Sequence, residues 1–415
     1  MTAAATTSHL IDVRAEFPLL ARRFDDKPLV YLDSANTSQK PESVLVAMDE
    51  FARTTYAPIN RSAYRLAAEA TDVYEGARAS VARFVNARDA NEIVFTKNAT
   101  ESLNLVARAW GEANLREGDV VVLTHMEHHA NIVPWHQLAA ARGIELRWVP
   151  LTDDGELDLS GLDALLAGAK VFSFTALSNV LGTITPVRHL VDAAHAAGAL
   201  AVVDACQHVP HGPTDVQAWD ADFVAFSSHK MCGPSGIGAL WGRAELLDAT
   251  PPFLGGGNMI SDVRLDGFTP APVPAKFEAG TPPIIEAAGF GAAVDFLEGI
   301  GMDNVRRHEM TLTDYALTTL DERFGDRIRI HGPRNIEHRA GVLSFEFDDL
   351  HPHDVSQILD ADNVCVRAGH HCAKPLMRLL GVTATARASL YLYNDIADVD
   401  ALGDALERAG DYFAL

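Results

Sequence analysis

Short runs of β-branched and aromatic residues, separated by stretches of helical spacing, constrain the fold of this chain more than any other feature. VVVLT from Val120, ELRWVPL from Glu145, KVFSFT from Lys170, ALAVVDA from Ala199 and DFVAFS from Asp222 are short and mainly apolar. Strands of that kind are buried on both faces, as in a parallel sheet covered by crossover helices. EIVFT from Glu92 reads as another strand, while Pro41 to about Tyr56, Arg65 to Val85 and Glu101 to Trp110 carry helical periodicity. From about Gly301 the rhythm changes to a helix, the strands RIRIHG and GVLSFEF, a helix after His353, the strand NVCVRAG and a last helix from Val399. The pattern predicts a large α/β domain followed by a smaller one. Thr250 to Pro274, rich in Pro and Gly, is expected to form a long irregular connection or a hairpin over a site.

Composition removes several function classes. With 415 residues, 48% of them hydrophobic, the chain can bury a large core. Its 34 Lys and Arg against 56 Asp and Glu leave a net charge of -22, and no long basic run occurs, which argues against a nucleic-acid partner. The start MTAAATTSHLIDVRAEF has no basic region leading into an apolar one, and no long apolar stretch follows, so no membrane partner and a cytoplasmic location are expected. Cys206, Cys232, Cys365 and Cys372 show no CxxC spacing and are expected as free thiols.

Ligands of a parallel sheet gather beyond the carboxyl ends of its strands. The residues there are unusually polar: HMEHHAN after Thr124, ALSNVLGT after Thr175, CQHVPH after Ala205 and SHK after Ser227. One sheet edge thus collects His128, Asn179, Asp204, Gln207, Ser227, His229 and Lys230. A lysine amine, a carboxylate and hydroxyl or amide donors are the groups that pyridoxal phosphate needs. The helix start near Thr100, in KNATES, offers free N–H groups and a hydroxyl for its phosphate. Far downstream, VRAGHHCAKPLM from Val366 sets Cys372 behind two histidines, a thiol placed to take something away. Plainer readings stand beside these. Lysines are mostly solvated charges, a cysteine can be a small buried hydrophobe, and Asp204 or Arg387 can serve an ion pair or the surface. His125, His128, His129 and His136 can be surface or capping residues, or a metal cluster, although they lack tetrahedral spacing. GPSGIG from Gly233 lacks the order of a dinucleotide loop.

YLDSANTSQKP from Tyr31, TKNATESLNLVA from Thr96, EHHANIVPW from Glu127, SNVLGT from Ser178, VVDACQ from Val202, SSHKMCGPSGIG from Ser227, GGGNMI from Gly255, FEAGTPP from Phe277 and VRAGHHCA from Val366 follow one another in order. Over nearly its whole length the chain resembles the fold-type I pyridoxal phosphate enzymes of the class V aminotransferase family, and within them the SufS-type group II cysteine desulfurases. The resemblance implies a large cofactor-binding domain over residues 20–300 with a mostly parallel seven-stranded sheet. It assigns residues 1–19 and 301–415 to a smaller α/β domain carrying the catalytic cysteine. It makes Lys230 the Schiff-base lysine, Asp204 the partner of the pyridine nitrogen, Gln207 the O3′ donor and His128 the imidazole stacked on the ring. Thr100, Ser227 and His229 would hold the phosphate, and Thr281 in EAGTPP would reach it from the other subunit of a homodimer. Arg387, in ATARASLYLYN, would clamp the substrate carboxylate with Asn179 and Arg367 beside it; the thiol needs its ionisation favoured, and Arg367 or His370 would do this if close. Three places depart from the family wording: Ser228 stands where many relatives have Gly, Ala99 where they have a second Thr, and NRSAY from Asn60 replaces a His-Arg-Gly sequence.

For such an enzyme the substrate is L-cysteine. Cys372 takes its sulfur as a persulfide and L-alanine leaves, with Lys230 moving the Cα proton. Cys372 and Arg387 are separated by 387 − 372 = 15 positions, a short tether. The resemblance therefore implies a sulfur acceptor protein of the SufE or SufU type that comes to the persulfide for iron–sulfur cluster assembly. His353, in HPHD at His351 to Asp354, is either a capping or surface residue or a contact for a zinc-bearing acceptor. Selenocysteine lyase activity and a weakly active docking subunit for sulfur carriers are the other readings. No resident metal is expected.

Overall fold

The computed structural model describes residues 10–60 and 62–413. The first nine residues of the segment assigned to the smaller domain, and Arg61 within NRSAY, lie outside that description. Seven strands form the main sheet: β1 (Ile93–Thr96), β2 (Val120–Thr124), β3 (Glu145–Val149), β4 (Ala169–Thr175), β5 (Leu200–Asp204), β6 (Phe223–Ser227) and β7 (Gly238–Gly242), in the order β1-β7-β6-β5-β4-β2-β3. Only β7 runs against its neighbours. Each strand feeds both faces, because successive side chains point to opposite sides. Phe95, Val122, Phe172, Val203 and Phe226 enter one buried cluster, and Val94, Val121, Val171, Val202 and Ala225 enter the other. The first cluster is closed by the helices Arg65–Phe84 and Ile284–Ile300 through Tyr74, Val81, Phe290 and Leu297.

The sixth and seventh strands of the chain differ in legibility for a steric reason. GALWG in β7 has no β-branched residue, yet a Cβ at Gly238 would lie 2.7 Å from Asn98 Cα and 2.7 Å from the Phe226 carbonyl oxygen. The strand gives up propensity so that the turn before Thr100 can press against it.

Thr250 to Pro274 contains a hairpin, β8 (Ile260–Arg264) with β9 (Gly267–Pro270), that exposes Val263, Leu265 and Phe268. The smaller sheet is antiparallel: β10 (Ile328–Ile330), β11 (Val342–Phe347), β12 (Arg367–Gly369) and β13 (Thr385–Ser389), in the order β10-β11-β13-β12. Its core includes Leu312, Leu320, Phe345, Leu359, Leu402 and Leu406, together with Val30 and Leu32 from the N-terminal region. The expected strand NVCVRAG is broken at Val366. Val364–Cys365 pairs in parallel with Val30–Tyr31, while Arg367–Gly369 joins β13, and Ser356 Oγ donates to the Val366 carbonyl at the break. The helix after His353 spans Pro352–Asp360 and is capped by His351, whose side chain accepts from His353 N–H. His353 therefore sits inside the first turn and leaves the cap to its neighbour.

Candidate active site

The carboxyl ends of the parallel strands and the loop after β12 close around a cavity of about 200 Å3. Lys230 follows β6 by one short turn and lines this cavity, facing Asp204 at the end of β5. The Asp204 carboxylate is buried, accepts a hydrogen bond from Cys206 N–H (3.0 Å), and is pushed up by burial against the opposing pull of that bond and of Lys230. His128 caps the turn His129–Asn131 by accepting from Ala130 N–H through Nδ1 (3.1 Å). Burial, with Lys230 as the next cause, pushes its imidazole down to about 3, so it enters the cavity as a neutral ring. The same two causes bring His229 down to about 4.

Thr100 lies in the first turn of the helix that begins at Ala99, where Asn98 caps by accepting from Glu101 N–H. Ser227 Oγ accepts from Ala99 N–H at 2.8 Å, so the residue that departs from the family wording is held through its backbone. Ser228 Oγ occupies the space that a side chain at Gly233 would need, which ties that departure to the glycine after it. Thr281 does not line the cavity. It is exposed and borders a second one with Lys97, Glu101 and Gly236.

On the opposite wall, Arg387 is fully buried on β13, donates to the Asn179 carbonyl at 2.9 Å and pairs with Asp33 at 3.1 Å. Burial lowers its guanidinium to about 10, opposed by Asp33 and still well above neutrality. The Asn179 side chain donates to the His371 carbonyl at 2.7 Å. Arg367 reaches Asn36 Oδ1 at 2.7 Å and stands 4.0 Å from Cys372 Sγ, close enough for a weak N–H···S contact. His371 and Cys372 both have positive φ, 47° and 56°, values that side-chain-bearing residues adopt only under constraint.

Of the residues assigned to catalysis, cofactor and substrate, all but Thr281 line one cavity; His353 borders another. The four histidines near residue 130 separate: His125 and His136 approach Trp148, with ring centroids 6.2 and 6.0 Å away, while His128 lines the cavity. Asp33, Asn36 and Asn98 belong to the site as well, although residue-level reasoning did not single them out. YLDSANT and KNATES carried the signal, since each sets polar side chains just beyond a strand. Glu127 was also missed. It is buried and pushed up to about 8 by desolvation, and it ties Thr124 Oγ1, Asn131 Nδ2 and Thr175 N–H together behind the His128 turn.

The class V aminotransferase profile matches residues 30–402. The chain belongs to the class V aminotransferase family. A probable cysteine desulfurase of Streptomyces coelicolor is 52% identical over 407 residues, 97% of each chain. A cysteine desulfurase of Haloferax volcanii is 46% identical, with 97% of each chain covered. Among solved structures, the apo cysteine desulfurase of Thermococcus onnurineus superposes with a TM-score of 0.91 at 41% identity, covering 96% of this chain and 98% of that one. The Escherichia coli cysteine desulfurase CsdA, in its S-sulfonic acid form, superposes with a TM-score of 0.87 at 37% identity over 96% and 98% of the two chains. The fold is that of the fold-type I pyridoxal phosphate enzymes, and pyridoxal phosphate is the cofactor this membership carries.

The residues fit that cofactor. Gln207 Oε1, His371 Nδ1 and Arg387 Nε are buried in the cavity wall without a hydrogen-bond partner among the described residues, although each costs free energy unless something meets it. Gln207 spends its donor Nε2 on the Ala35 carbonyl at 2.6 Å, so the group left free is Oε1, an acceptor for a hydroxyl in place of the expected donor. An apolar ligand would leave these groups unmet; a polar one bearing a hydroxyl, a ring nitrogen and carboxylate or phosphate oxygens would not.

Proposed function

We propose that this chain is a cysteine desulfurase of the SufS-type group II class, converting L-cysteine to L-alanine with a persulfide on Cys372. The carrying observation is that one cavity brings together the Cys372 thiol, the Lys230 amine and the buried Arg387 guanidinium. Pyridoxal phosphate, when bound, supplies the electron sink that makes the Cα proton removable. Lys230 would hold it through Nζ, Asp204 would face its ring nitrogen, Gln207 its ring hydroxyl and His128 the ring itself. Thr100, Ser227 and His229 would take the phosphate. A neutral His128 suits a stacking partner, because a second cation beside Lys230 would oppose a protonated ring.

Arg387 and Asn179 would clamp the substrate carboxylate, directing its side chain towards Cys372 and Arg367. Lys230, once free, carries the Cα proton. Cys372 sulfur then forms an S–S bond to the substrate sulfur as the substrate C–S bond breaks. The electron pair stays with the carbon fragment, which takes back the Cα proton from Lys230, takes up at Cβ the proton that the Cys372 thiol gives up, and leaves as alanine. The sum, a thiol plus cysteine giving a persulfide plus alanine, balances without an added oxidant.

Several finer features belong to the same reading. The chain divides into a cofactor-binding unit, residues 20–300, and a small unit, residues 1–19 and 301–415, that carries Cys372; Val30 and Leu32 join the core of the second, while Phe17 and Leu20 join that of the first. The enzyme is a cytoplasmic homodimer in which Thr281 meets the neighbour's phosphate. The persulfide passes to an acceptor of the SufE or SufU type for iron–sulfur cluster assembly. His353 would meet such a protein; it borders a surface cavity with Asp360 and Cys365. The experiment is mass spectrometry after incubation with L-cysteine. One added sulfur on Cys372, with alanine released, is the expected result; alanine without sulfur on any cysteine overturns the reading.

A further inference from the structure

The turn that carries Cys372 is held from outside by a residue the reading above leaves unused. His371 and Cys372 occupy the left-handed region in succession, and neither is a glycine. Such a pair persists only when surrounding contacts over-determine it. Part of the support is local: Cys372 N–H donates to His370 Nδ1 (3.2 Å), and Ala373 N–H to the His370 carbonyl (2.8 Å). On the side of the small sheet, His371 Nε2 meets Thr385 Oγ1 at 2.9 Å. On the side of the large sheet, Asn179 donates to the His371 carbonyl, and two bonds come from His129. His129 N–H donates to the Cys372 carbonyl at 2.8 Å, and Lys374 N–H donates to His129 Nε2 at 2.9 Å.

We propose that His129 is the positioning residue of the catalytic turn, holding the backbone on both sides of Ala373, directly behind Cys372, through its backbone N–H and its ring. The proposal rests on the desulfurase reading, in which Cys372 is the attacking thiol. The two bonds straddle Ala373: one takes the Cys372 carbonyl before it, the other the Lys374 amide after it. They come from the same short turn that presents His128 to the cavity, so the ring-stacking residue and the thiol are referenced to one piece of backbone. A sub-ångström error between them would matter, because the sulfur must meet a substrate held against that ring.

The ring bond requires an unprotonated Nε2, since only a lone pair can accept from Lys374 N–H. The titratable groups that face it are His128, with a ring centroid 6.2 Å from that of His129, His370 at 5.7 Å, and Lys374. Each is cationic when charged and so works against a proton on His129. Burial, then His370 and Lys374, depress its imidazole below the ordinary value. The bond is therefore present above that lowered value and lost as the pH falls through it.

Hydrogen exchange and steady-state kinetics on the cofactor-loaded enzyme test this. In His129→Ala, exchange of the amides of residues 370–374 should rise about tenfold, as befits one lost hydrogen bond, and kcat for alanine release should fall about tenfold with KM nearly unchanged. His129→Gln, whose Oε1 lies near the position of Nε2, should recover most of both. It should also remove the acid loss of protection that the wild type shows at Lys374 after correction for intrinsic exchange. Unchanged exchange in His129→Ala, a loss carried by KM, or a Gln variant no better than Ala overturns the proposal. Cys372→Ser run in parallel separates the two ideas. If it still makes alanine, the thiol reading fails, while the exchange data still decide whether His129 holds the turn.

Discussion

The two walls of the cavity are built by different physics. On one side Asp204, Ser227 and the turns bearing His128 and Lys230 stand at the ends of strands whose ladders and buried faces leave them little freedom. On the other, Cys372 sits on a turn with two residues at positive φ, held by a few bonds to residues such as His129, Asn179 and Thr385 that are remote in sequence. A cofactor wants a fixed seat. In the proposed reading the thiol meets a substrate and then an acceptor, and hydrogen bonds from separate elements hold it in place of a strand ladder.

Breaking the rigid wall should give the largest effect. Lys230→Ala is expected to abolish turnover and the visible absorption of the lysine-bound cofactor, because no other amine of the site can replace it. Absorption that borohydride still fixes to the variant would contradict this. Next, Cys372→Ser should lower alanine formation from cysteine by more than about a hundredfold while the cofactor spectrum stays, since only the second wall is damaged. Normal alanine output would remove the thiol from the mechanism.

The difference in rigidity also has a stability signature. Glu278 anchors the large unit: it pairs with buried Arg78 at 2.6 Å and accepts from Tyr74 Oη (2.9 Å) and Phe95 N–H (2.8 Å). Glu278→Gln should cost about 3 kcal/mol in urea unfolding, as expected when one partner of a buried pair loses its charge. A loss under about 1 kcal/mol would show that this wall is less over-determined than its contacts imply.

The smallest effect is pH-dependent. His128 and His371, one on each wall, are held by burial at about 3 and about 2. An unfolded histidine titrates near about 6.5, so below that value the unfolded chain binds protons that the folded chain does not. The stability these groups contribute is whole above about pH 6.5 and declines as the pH falls towards the folded values, by about 2 kcal/mol per histidine between pH 7 and 5. His128→Gln should remove one such increment from the difference measured at those two pH values. An unaltered difference would mean that His128 is not desolvated as its position requires.

What could be read from residues alone follows this same division. Strands β2, β4, β5 and β6 were legible because burial on both faces forces continuous apolar runs, while the expected burial of β3 gives way to an exposed Glu145 and half-buried neighbours because it is the edge strand; the polar residues beyond these strands had to meet at one edge of a parallel sheet. β7 and β13 were not legible. GALWG and TARAS consist largely of small residues whose strand state is imposed by neighbours, by the Asn98 turn in one case and by β11 and β12 in the other. The break at Val366 was hidden too, because nothing in NVCVRAG says that its two halves pair with different partners.

The sequence by itself determined the α/β class, the ordered family motifs and the chemical types that a pyridoxal phosphate site requires, since these rest on periodicity and on residue identity. Only the tertiary structure decided that Asp33 pairs with Arg387 and that His351 rather than His353 caps its helix. It also decided that His129 grips the backbone on both sides of Ala373, directly behind Cys372. Those facts depend on distances between segments up to hundreds of residues apart, which local pattern does not encode and which the packing of two sheets sets.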